Sequence, residues 1–78
     1  MNVTVRLFAA YADAVGAGSA SLTLPDPATV ADVRAAVAAL SRTIPVRPII
    51  AVNESYATDD TAVTASDDIA VIPPVAGG

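Results

Sequence analysis

The residues with the clearest chemical potential in this sequence are its last six, a proline pair, two small apolar residues and a diglycine. In chain order they are Pro73, Pro74, Val75, Ala76, Gly77 and Gly78. Proline has a fixed φ and no N–H, so two successive prolines end strand pairing and keep the chain extended. Glycine has no Cβ, so the diglycine fits a channel too narrow for other residues. Six extended residues reach roughly 20 Å, and we therefore predict a tether that presents the α-carboxylate of Gly78 to active sites of other proteins.

A frayed chain end is the ordinary alternative for such a terminus, because two glycines alone are a weak motif. The four preceding residues, 69–72, favour the tether. They are apolar, have the pattern of a strand and run directly into the prolines. A diglycine that follows a strand and a stiff apolar segment therefore indicates a tethered carboxylate more strongly than a diglycine alone would.

The composition leaves the chain little chemistry of its own. It has no Cys and no His, which excludes thiolate nucleophiles, disulfides and imidazole acid–base chemistry. The acidic pairs Asp59-Asp60 and Asp67-Asp68 fall at predicted turns, where adjacent carboxylates are far more often solvated than metal-bound. We therefore predict that this chain binds no metal and no cofactor. A contact of Asp68 or Glu54 with basic residues of a partner stays an open alternative.

The charge balance limits the classes of partner. Eight acidic residues accompany four arginines and no lysine, for a net charge of −4. This charge repels phosphate backbones and anionic lipids, so we expect no nucleic-acid or membrane partner, whereas a basic protein would be attracted. No apolar stretch approaches the about 20 residues of a membrane span, and no signal peptide is evident. The expected location is the cytoplasm.

Alternating residues predict two paired strands in the N-terminal part of the chain. Apolar and polar residues alternate in residues 2–8 and again in residues 19–24, the pattern of half-buried strands. The alanine-rich residues 9–15 between them predict a short helix that ends near Gly16. Phe8 lies on the polar face at the end of the first strand, where it either covers the sheet edge or contacts a partner.

One longer helix is predicted from residue 30 to about Ser41. Thr29 has the character of an N-cap, and Asp32 stands where the acid of a capping box belongs. An apolar stripe follows at helical spacing, formed by Val30, Val33, Val37 and Leu40. This stripe is expected to cross one face of a sheet.

Two later strands, residues 49–52 and 69–72, are apolar on both faces, which is typical of interior strands. One face should meet the helix, and the other is either capped by loops or left for a partner. One short strand is predicted between these two, and turns are predicted at residues 53–55, 59–61 and 66–68. The pattern indicates an α+β domain over residues 1–72, with its first and last strands as parallel neighbours, and a tail over residues 73–78.

Short motifs along the whole chain carry a family resemblance. They are Leu7-Phe8-Ala9, Val15-Gly16, Val30-Ala31-Asp32-Val33-Arg34, Ala51-Val52-Asn53, Asp67-Asp68 and the terminal Pro73-Pro74-Val75-Ala76-Gly77-Gly78. With them the sequence closely resembles the small, sulfur-carrying subunit of molybdopterin synthase, a ubiquitin-like β-grasp sulfur carrier. The resemblance implies a mixed sheet of four or five strands with one main helix packed on one face. Thiamine-pathway carriers also end in a diglycine but usually lack the two prolines.

The sequence departs from this family pattern at three places. Ala12 precedes Asp13 where relatives often have Arg, and Ser66 precedes the acidic pair where they often have Gly. Val71 and Ile72 stand where aromatic residues are frequent. The first and last changes concern contacts with partners and leave the terminal carboxylate untouched.

The resemblance implies a cycle of sulfur transfer. An E1-like adenylyltransferase uses ATP to adenylate the carboxylate of Gly78, and a sulfur donor protein then displaces AMP to leave a thiocarboxylate. The large subunit of the synthase takes up the tail, and sulfur passes to cyclic pyranopterin monophosphate. The chain would be the sulfur-donor subunit of this enzyme, a heterotetramer of two small and two large chains, with no catalytic side chain of its own. The implied partner-binding residues are Phe8, Ile72, Pro73, Pro74, Val75, Ala76 and Gly77.

Three alternatives remain at this stage. The chain could carry sulfur in another pathway of the thiamine type, or it could be a ubiquitin-like modifier joined through Gly78 to a target lysine. A plain interaction domain with an inert tail is the third.

Overall fold

The computed structural model of the chain describes residues 1–44 and 47–74, which fold into a five-stranded sheet, a two-stranded sheet and two helices. The strands are β1 (Asn2–Leu7), β2 (Ser19–Thr23), β3 (Ala28–Thr29), β4 (Ile49–Val52), β5 (Ser55–Tyr56), β6 (Ala62–Val63) and β7 (Ile69–Ile72), and the helices are α1 (Ala10–Val15) and α2 (Val30–Ala38). The larger sheet has the order β2-β1-β7-β4-β5. Among the described residues neither helix is long and apolar enough to cross a membrane.

The centre of the sheet is the parallel pair β1 and β7, and the predicted neighbourhood of the first and last strands is confirmed. β2 pairs antiparallel on the outer side of β1, and β4 pairs antiparallel on the other side of β7. Exposed and buried residues alternate strictly along β1, as expected for a strand with one face on the core. Each predicted strand therefore occupies the type of position that its pattern indicated.

Helix α1 connects β1 to β2 and ends where the sequence predicts. Gly16 follows it with φ 85°, a left-handed conformation that glycine adopts without steric cost. The Gly16 N–H donates to the Ala12 carbonyl at 2.8 Å. This tight end turns the chain directly back into β2.

Helix α2 begins with the predicted capping box. The Thr29 N–H donates to Asp32 Oδ2 at 2.8 Å, and the Thr29 side chain in turn accepts from the backbone of Asp32. The next two N–H groups of the helix have no acceptor within it and donate to the segment before β6. The Val30 N–H donates to the Thr61 carbonyl, and the Ala31 N–H donates to the Asp59 carbonyl. The helix start is thus satisfied by the fold itself.

The predicted end of this helix is wrong. The helix stops at Ala38 rather than at Ser41, and Leu40, expected on the buried stripe, is 36% exposed. The N–H groups of Ala39 and Leu40 donate to carbonyls three residues earlier, Ala36 and Val37, which tightens the last turn and rotates Leu40 away from the core. The remaining stripe residues, Val30, Val33 and Val37, are fully buried.

The small sheet of β3 and β6 was not predicted. Ala28 pairs with Val63 and Thr29 with Ala62, so each strand has only two residues. Such strands are too short to show an alternating pattern. The pair nevertheless matters, because it holds the segment of residues 58–61 against the start of α2.

The core between α2 and the sheet consists almost entirely of aliphatic side chains, with one polar atom enclosed. Tyr11 of α1 is 0% exposed, and its hydroxyl oxygen is buried without a hydrogen-bond partner in the described part of the chain. A buried hydroxyl without a partner costs about 1–3 kcal/mol. Burial also raises the pKa of Tyr11 above its ordinary value of 10.0, because the phenolate is disfavoured away from water.

We expect Tyr11→Phe to leave the free energy of unfolding unchanged or to raise it by about 1 kcal/mol, because the ring stays and only the unpaired hydroxyl is removed. Urea denaturation followed by circular dichroism measures this. Tyr56→Phe, at an exposed ring, is the matched control and should have no effect.

The original chain and the Tyr11→Phe variant also give a test of pH dependence. A tyrosine with a raised folded pKa contributes full stability below its unfolded pKa and loses it as the pH rises above about 10, since the unfolded chain then releases the proton more readily. The Tyr11→Phe variant should therefore lose less stability at high pH than the original chain. A clear loss of stability in Tyr11→Phe at pH 7 would show that the hydroxyl is hydrogen-bonded.

Candidate functional site

The face of the large sheet that α2 does not cover carries a mixed apolar and aromatic surface. Alternate residues of β1, β4 and β7 pack into the core with α2, and the residues between them point to the other side. The strand register sets four of these in a row, Arg6 beside Ala70, Ala70 beside Ala51, and Ala51 beside Tyr56. We call this surface the open face. It consists of Arg6, Phe8, Ile49, Ala51, Tyr56, Ala70 and Ile72.

The open face is lined by two exposed aromatic rings with short side chains between them. Phe8 is 42% exposed and Tyr56 is 73% exposed, while Ala51 of β4 and Ala70 of β7 are buried between them. Large exposed apolar groups grouped on one face are typical of interaction surfaces. The sequence pointed to this face through Phe8 and through β4 and β7, whose residues are apolar on both sides. Tyr56 was missed because β5 has just two residues.

Phe8 lies at the end of the sheet where the chain leaves it. Its N–H donates to the Val71 carbonyl at 3.2 Å, which places Phe8 beside Ile72, the last residue of β7. The Arg6 guanidinium lies over the Phe8 ring, 5.5 Å from its centroid, a cation–π arrangement that holds the ring in place. A large part of the ring stays accessible, and the partner contact of Phe8 stays a prediction.

The exit of the tail adjoins this ring. β7 ends at Ile72, which pairs with Ile49, and the prolines follow, Pro73 half-buried and Pro74 exposed. Four of the predicted partner-binding residues, Phe8, Ile72, Pro73 and Pro74, are thus brought to one end of the sheet. The other predicted site residues, Val75, Ala76, Gly77 and Gly78, lie outside the described residues.

Arg6 also joins the two central strands through an ion pair. Its Nε and Nη2 donate to the two carboxylate oxygens of Asp68, each at 2.9 Å, and both side chains are about half exposed. A bidentate pair of this kind has a defined geometry, although at a surface it stabilises the fold by less than about 1 kcal/mol. Asp68, considered from the sequence as a partner contact, is engaged within its own chain.

The neighbouring acid, Asp67, organises the turn that leads into β7. Its carboxylate accepts from the Thr64 N–H at 2.7 Å and from Asn53 Nδ2 at 3.0 Å. These bonds favour the ionised form, first the backbone bond from Thr64 and then the side-chain bond from Asn53, and they lower the pKa of Asp67 from its ordinary value of 3.8. Asn53 Oδ1 in turn accepts from the Asp68 N–H at 2.9 Å.

The acidic pairs therefore have structural partners. Asp59 accepts from Arg34, and Asp60 accepts from the Thr58 hydroxyl. Across residues 1–44 and 47–74 no group of three or more acidic side chains is placed to hold a metal ion. Glu54 is exposed in the turn between β4 and β5, where it and Asn53 have the positive φ values of 70° and 52° that a two-residue hairpin turn requires.

A comparison with protein families gives the context for this geometry. The model of the ThiS family matches residues 5–78, which is nearly the whole chain and includes the diglycine. The chain belongs to the ThiS family. Its five-stranded mixed sheet with α2 across one face is the ubiquitin-like β-grasp fold of the sulfur carriers, so the predicted fold class and family resemblance are confirmed.

Solved structures agree with this fold. The chain is similar to a putative molybdopterin converting factor subunit 1 from Pyrococcus furiosus, with a TM-score of 0.84 and 24% identity over 96% of this chain and 99% of that one. It is similar to the small archaeal modifier protein 1 (SAMP1) of Haloferax volcanii, with a TM-score of 0.80 and 24% identity over the full length of both. At these identities the likeness establishes the fold.

A third structure contains a chain of this fold together with a partner. It is the complex of subunits 1 and 2 of the molybdopterin-converting factor from Helicobacter pylori 26695. The matching chain is 22% identical to the ThiS-family chain over the full length of both, with a TM-score of 0.65.

The hydrogen bonds of Asp67 predict a specific pH response. A carboxyl group whose folded pKa is lowered contributes stability above its unfolded pKa, near 3.8, and that stability is lost as the pH falls through the folded pKa. Thermal melting at pH 7 and at about pH 2 should therefore show a smaller acid-induced loss in Asp67→Asn than in the original chain. Glu54→Gln removes the same charge from an exposed side chain that forms no hydrogen bond or ion pair within residues 1–44 and 47–74, and it should not reduce the loss. Equal behaviour of the two variants would contradict the role given to Asp67.

Proposed function

We propose that this ThiS-family chain is the sulfur-carrier subunit of a molybdopterin synthase. The observation that carries the proposal is the position of the tail exit, where Ile72 and Pro73 leave the sheet beside the exposed ring of Phe8. A partner that binds the open face would meet the start of the tail, Pro73 and Pro74, at the same end of the sheet. Family membership and the likeness to the molybdopterin converting factor subunit support this assignment over an unrelated use of the fold.

The proposed chemistry takes place at the α-carboxylate of Gly78. A carboxylate is a poor electrophile because its leaving group would be oxide. An E1-like partner therefore has to convert it into an acyl adenylate, in which a carboxylate oxygen attacks the α-phosphorus of ATP and pyrophosphate leaves. A sulfur donor protein then delivers sulfur at the sulfide level, which attacks the acyl carbon and displaces AMP. The resulting thiocarboxylate sulfur is a good nucleophile toward cyclic pyranopterin monophosphate.

The side chains of the carrier take no part in these steps. The chain has no Cys to hold sulfur as a persulfide and no His to act as a general base. The acids that precede β7, Asp67 and Asp68, are held by Asn53, Thr64 and Arg6. The groups that bind ATP and the pterin are therefore assigned to partners, and the carrier contributes its reach and its binding surface.

The large subunit of the synthase is the proposed occupant of the open face, in an assembly of two small and two large chains. Aromatic rings are enriched among the residues that dominate binding energy at protein interfaces, and the open face presents Phe8 and Tyr56. The Helicobacter pylori complex shows a chain of this fold bound to a subunit 2. The net charge of −4 favours association with a basic surface.

A ubiquitin-like modifier is the second candidate, since the likeness to the small archaeal modifier protein is about as close in fold. Both fates begin with the same adenylate. The absence of lysine means that copies of this chain could be joined to one another only through the N-terminal amine. Intact-mass spectrometry of the protein from its own cells separates the candidates. Replacement of one oxygen by sulfur supports the carrier, as in either the molybdopterin or a thiamine-type pathway, and conjugates with other proteins support the modifier.

The first test of the mechanism is a chain extended by one alanine after Gly78. The extension should abolish thiocarboxylate formation, because the carboxylate that the partner activates is no longer at the end of the diglycine. A melting temperature equal to that of the original chain shows that the domain is intact. Normal sulfur loading of the extended chain in mass spectrometry would refute the proposed role of Gly78.

The second test addresses the open face. Phe8→Ala should weaken binding to the large subunit about tenfold or more, the usual effect of truncating a central aromatic anchor, and it should change the melting temperature little because the ring is 42% exposed. Titration calorimetry measures the affinity. Leu40→Ala is the matched control, since Leu40 is an exposed apolar residue at the end of α2. If Phe8→Ala lowered the stability of the domain more than its affinity for the large subunit, the main role of Phe8 would be to cover the sheet edge.

A further inference from the structure

A pocket of about 520 Å³ lies on the helix side of the sheet, away from the open face. Its floor is formed by alanines of α2 at helical spacing, Ala31, Ala35 and Ala38, whose short side chains leave a depression beside the segment that follows the helix. Ile44 and Pro48 add apolar walls. Volumes of a few hundred Å³ with mainly apolar walls and a few polar groups are typical of small-molecule sites.

The charges in this pocket are opposite to those of the rest of the chain. The chain has four arginines, and three of them line the pocket, namely Arg34, Arg42 and Arg47. A single acid, Asp59, lies among them. The pocket therefore has a formal charge of +2, while the remaining chain has one arginine and seven acidic residues. Since the chain has no lysine, nearly all of its side-chain cations are concentrated at this one place. A positive pocket in an acidic body attracts an anion selectively.

Arg34 is held in position before any ligand arrives. Its Nε donates to Asp59 Oδ1 at 2.6 Å, and its Nη1 donates to the Pro48 carbonyl. The side chain is only 30% exposed. In the described part of the chain no acceptor is recorded for Nη2. Asp59 therefore orients this guanidinium, which loses less conformational entropy on binding than a mobile arginine would.

Arg42 and Arg47 supply charge that is not used within the described fold. Neither forms an ion pair with the residues that the structure describes, and both are exposed at the rim of the pocket. Arg47 has a φ of 57°, in the left-handed region that glycine adopts with less strain. The backbone at this position does not itself favour an arginine.

We propose that this arginine pocket binds a small organic phosphate. A phosphate monoester is a dianion, which matches the charge of the pocket, and its oxygens pair with guanidinium groups in a planar, two-bonded geometry. The alanine floor accommodates a compact apolar body attached to the phosphate. An acidic protein segment is the weaker candidate, because a stable protein interface covers about 800 Å² per partner, whereas these arginines border a concave pocket. The proposal does not depend on the role of Gly78.

Phenyl phosphate is a suitable probe, and its binding can be followed by amide chemical shifts of the ¹⁵N-labelled full chain. Saturable shifts are expected at Arg34, Ala35, Arg42 and Arg47. Phenol, which lacks the dianion, should not bind, and inorganic phosphate, which lacks the apolar body, should bind more weakly than phenyl phosphate. No saturable shift at these residues, or equal shifts with phenol, would overturn the proposal.

Two variants and a control separate binding from folding and from general charge. Arg42→Gln and Arg47→Gly should each weaken phenyl phosphate binding about tenfold, and Arg47→Gly should keep or raise the melting temperature because it relieves the positive φ. Arg6→Gln removes the same charge from the open face and should change the affinity less than about twofold. An equal loss of phenyl phosphate affinity in Arg6→Gln would contradict binding in the pocket. If a hexaglutamate peptide bound more tightly than phenyl phosphate through the same arginines, the proposal would be wrong and an acidic protein segment would be the ligand.

Discussion

The parallel pairing of β1 with β7 is the contact on which the rest of the structure depends. The two strands come from opposite ends of the chain, and Val5, Leu7, Ile69 and Val71 of this pair are at most 4% exposed. Closing so long a loop costs chain entropy, which burial of these side chains offsets. The same pairing places the end of β1 beside the end of β7. The β1–β7 pairing thus both completes the core and makes the exposed Phe8 a neighbour of the start of the tail.

The two faces of the sheet have divided roles. The inner face and α2 share a core of mostly Val, Leu and Ile side chains, and the outer face combines alanines with two exposed aromatic rings. Several polar residues around this framework are engaged in structure. Asp32 caps α2, Asp67 and Asn53 order the turn before β7, and Asp68 pairs with Arg6. The engagement of these acids within the chain suits the proposed role, in which only the tail reacts.

Much of this fold could be predicted because the decisive patterns are local. Alternation along β1, the capping box at Thr29 and the two-sided apolar character of β4 and β7 each follow from a few adjacent residues. The end of α2 was predicted wrongly because Leu40 continues the helical spacing, while the turn-like bonds of Ala39 and Leu40 that end the helix leave no mark in the sequence. The sequence indicates one short strand before β7 without placing it, and β3, β5 and β6 were not predicted individually. Pairing of only two residues depends on the tertiary structure.

The candidate surfaces were less predictable than the fold because each combines residues from distant parts of the chain. Tyr56 joins the open face only through the pairing of β5 with β4, and Asp59 reaches Arg34 only because β6 pairs with β3. The arginines themselves are visible in the sequence as four isolated cations. The concentration of three of them in one pocket follows from the path of the chain after α2, which no local sequence pattern indicates.

The ionisable groups place the proton chemistry of the proposed cycle in the partners. Without His the chain has no side chain whose ordinary pKa lies near neutrality. The two groups with perturbed pKa values move away from neutral pH, since hydrogen bonds lower the pKa of Asp67 and burial raises the pKa of Tyr11. Neither of these two side chains is therefore suited to exchange protons near neutrality during the proposed cycle. We expect the side chains that do so to belong to the enzymes that handle the tail.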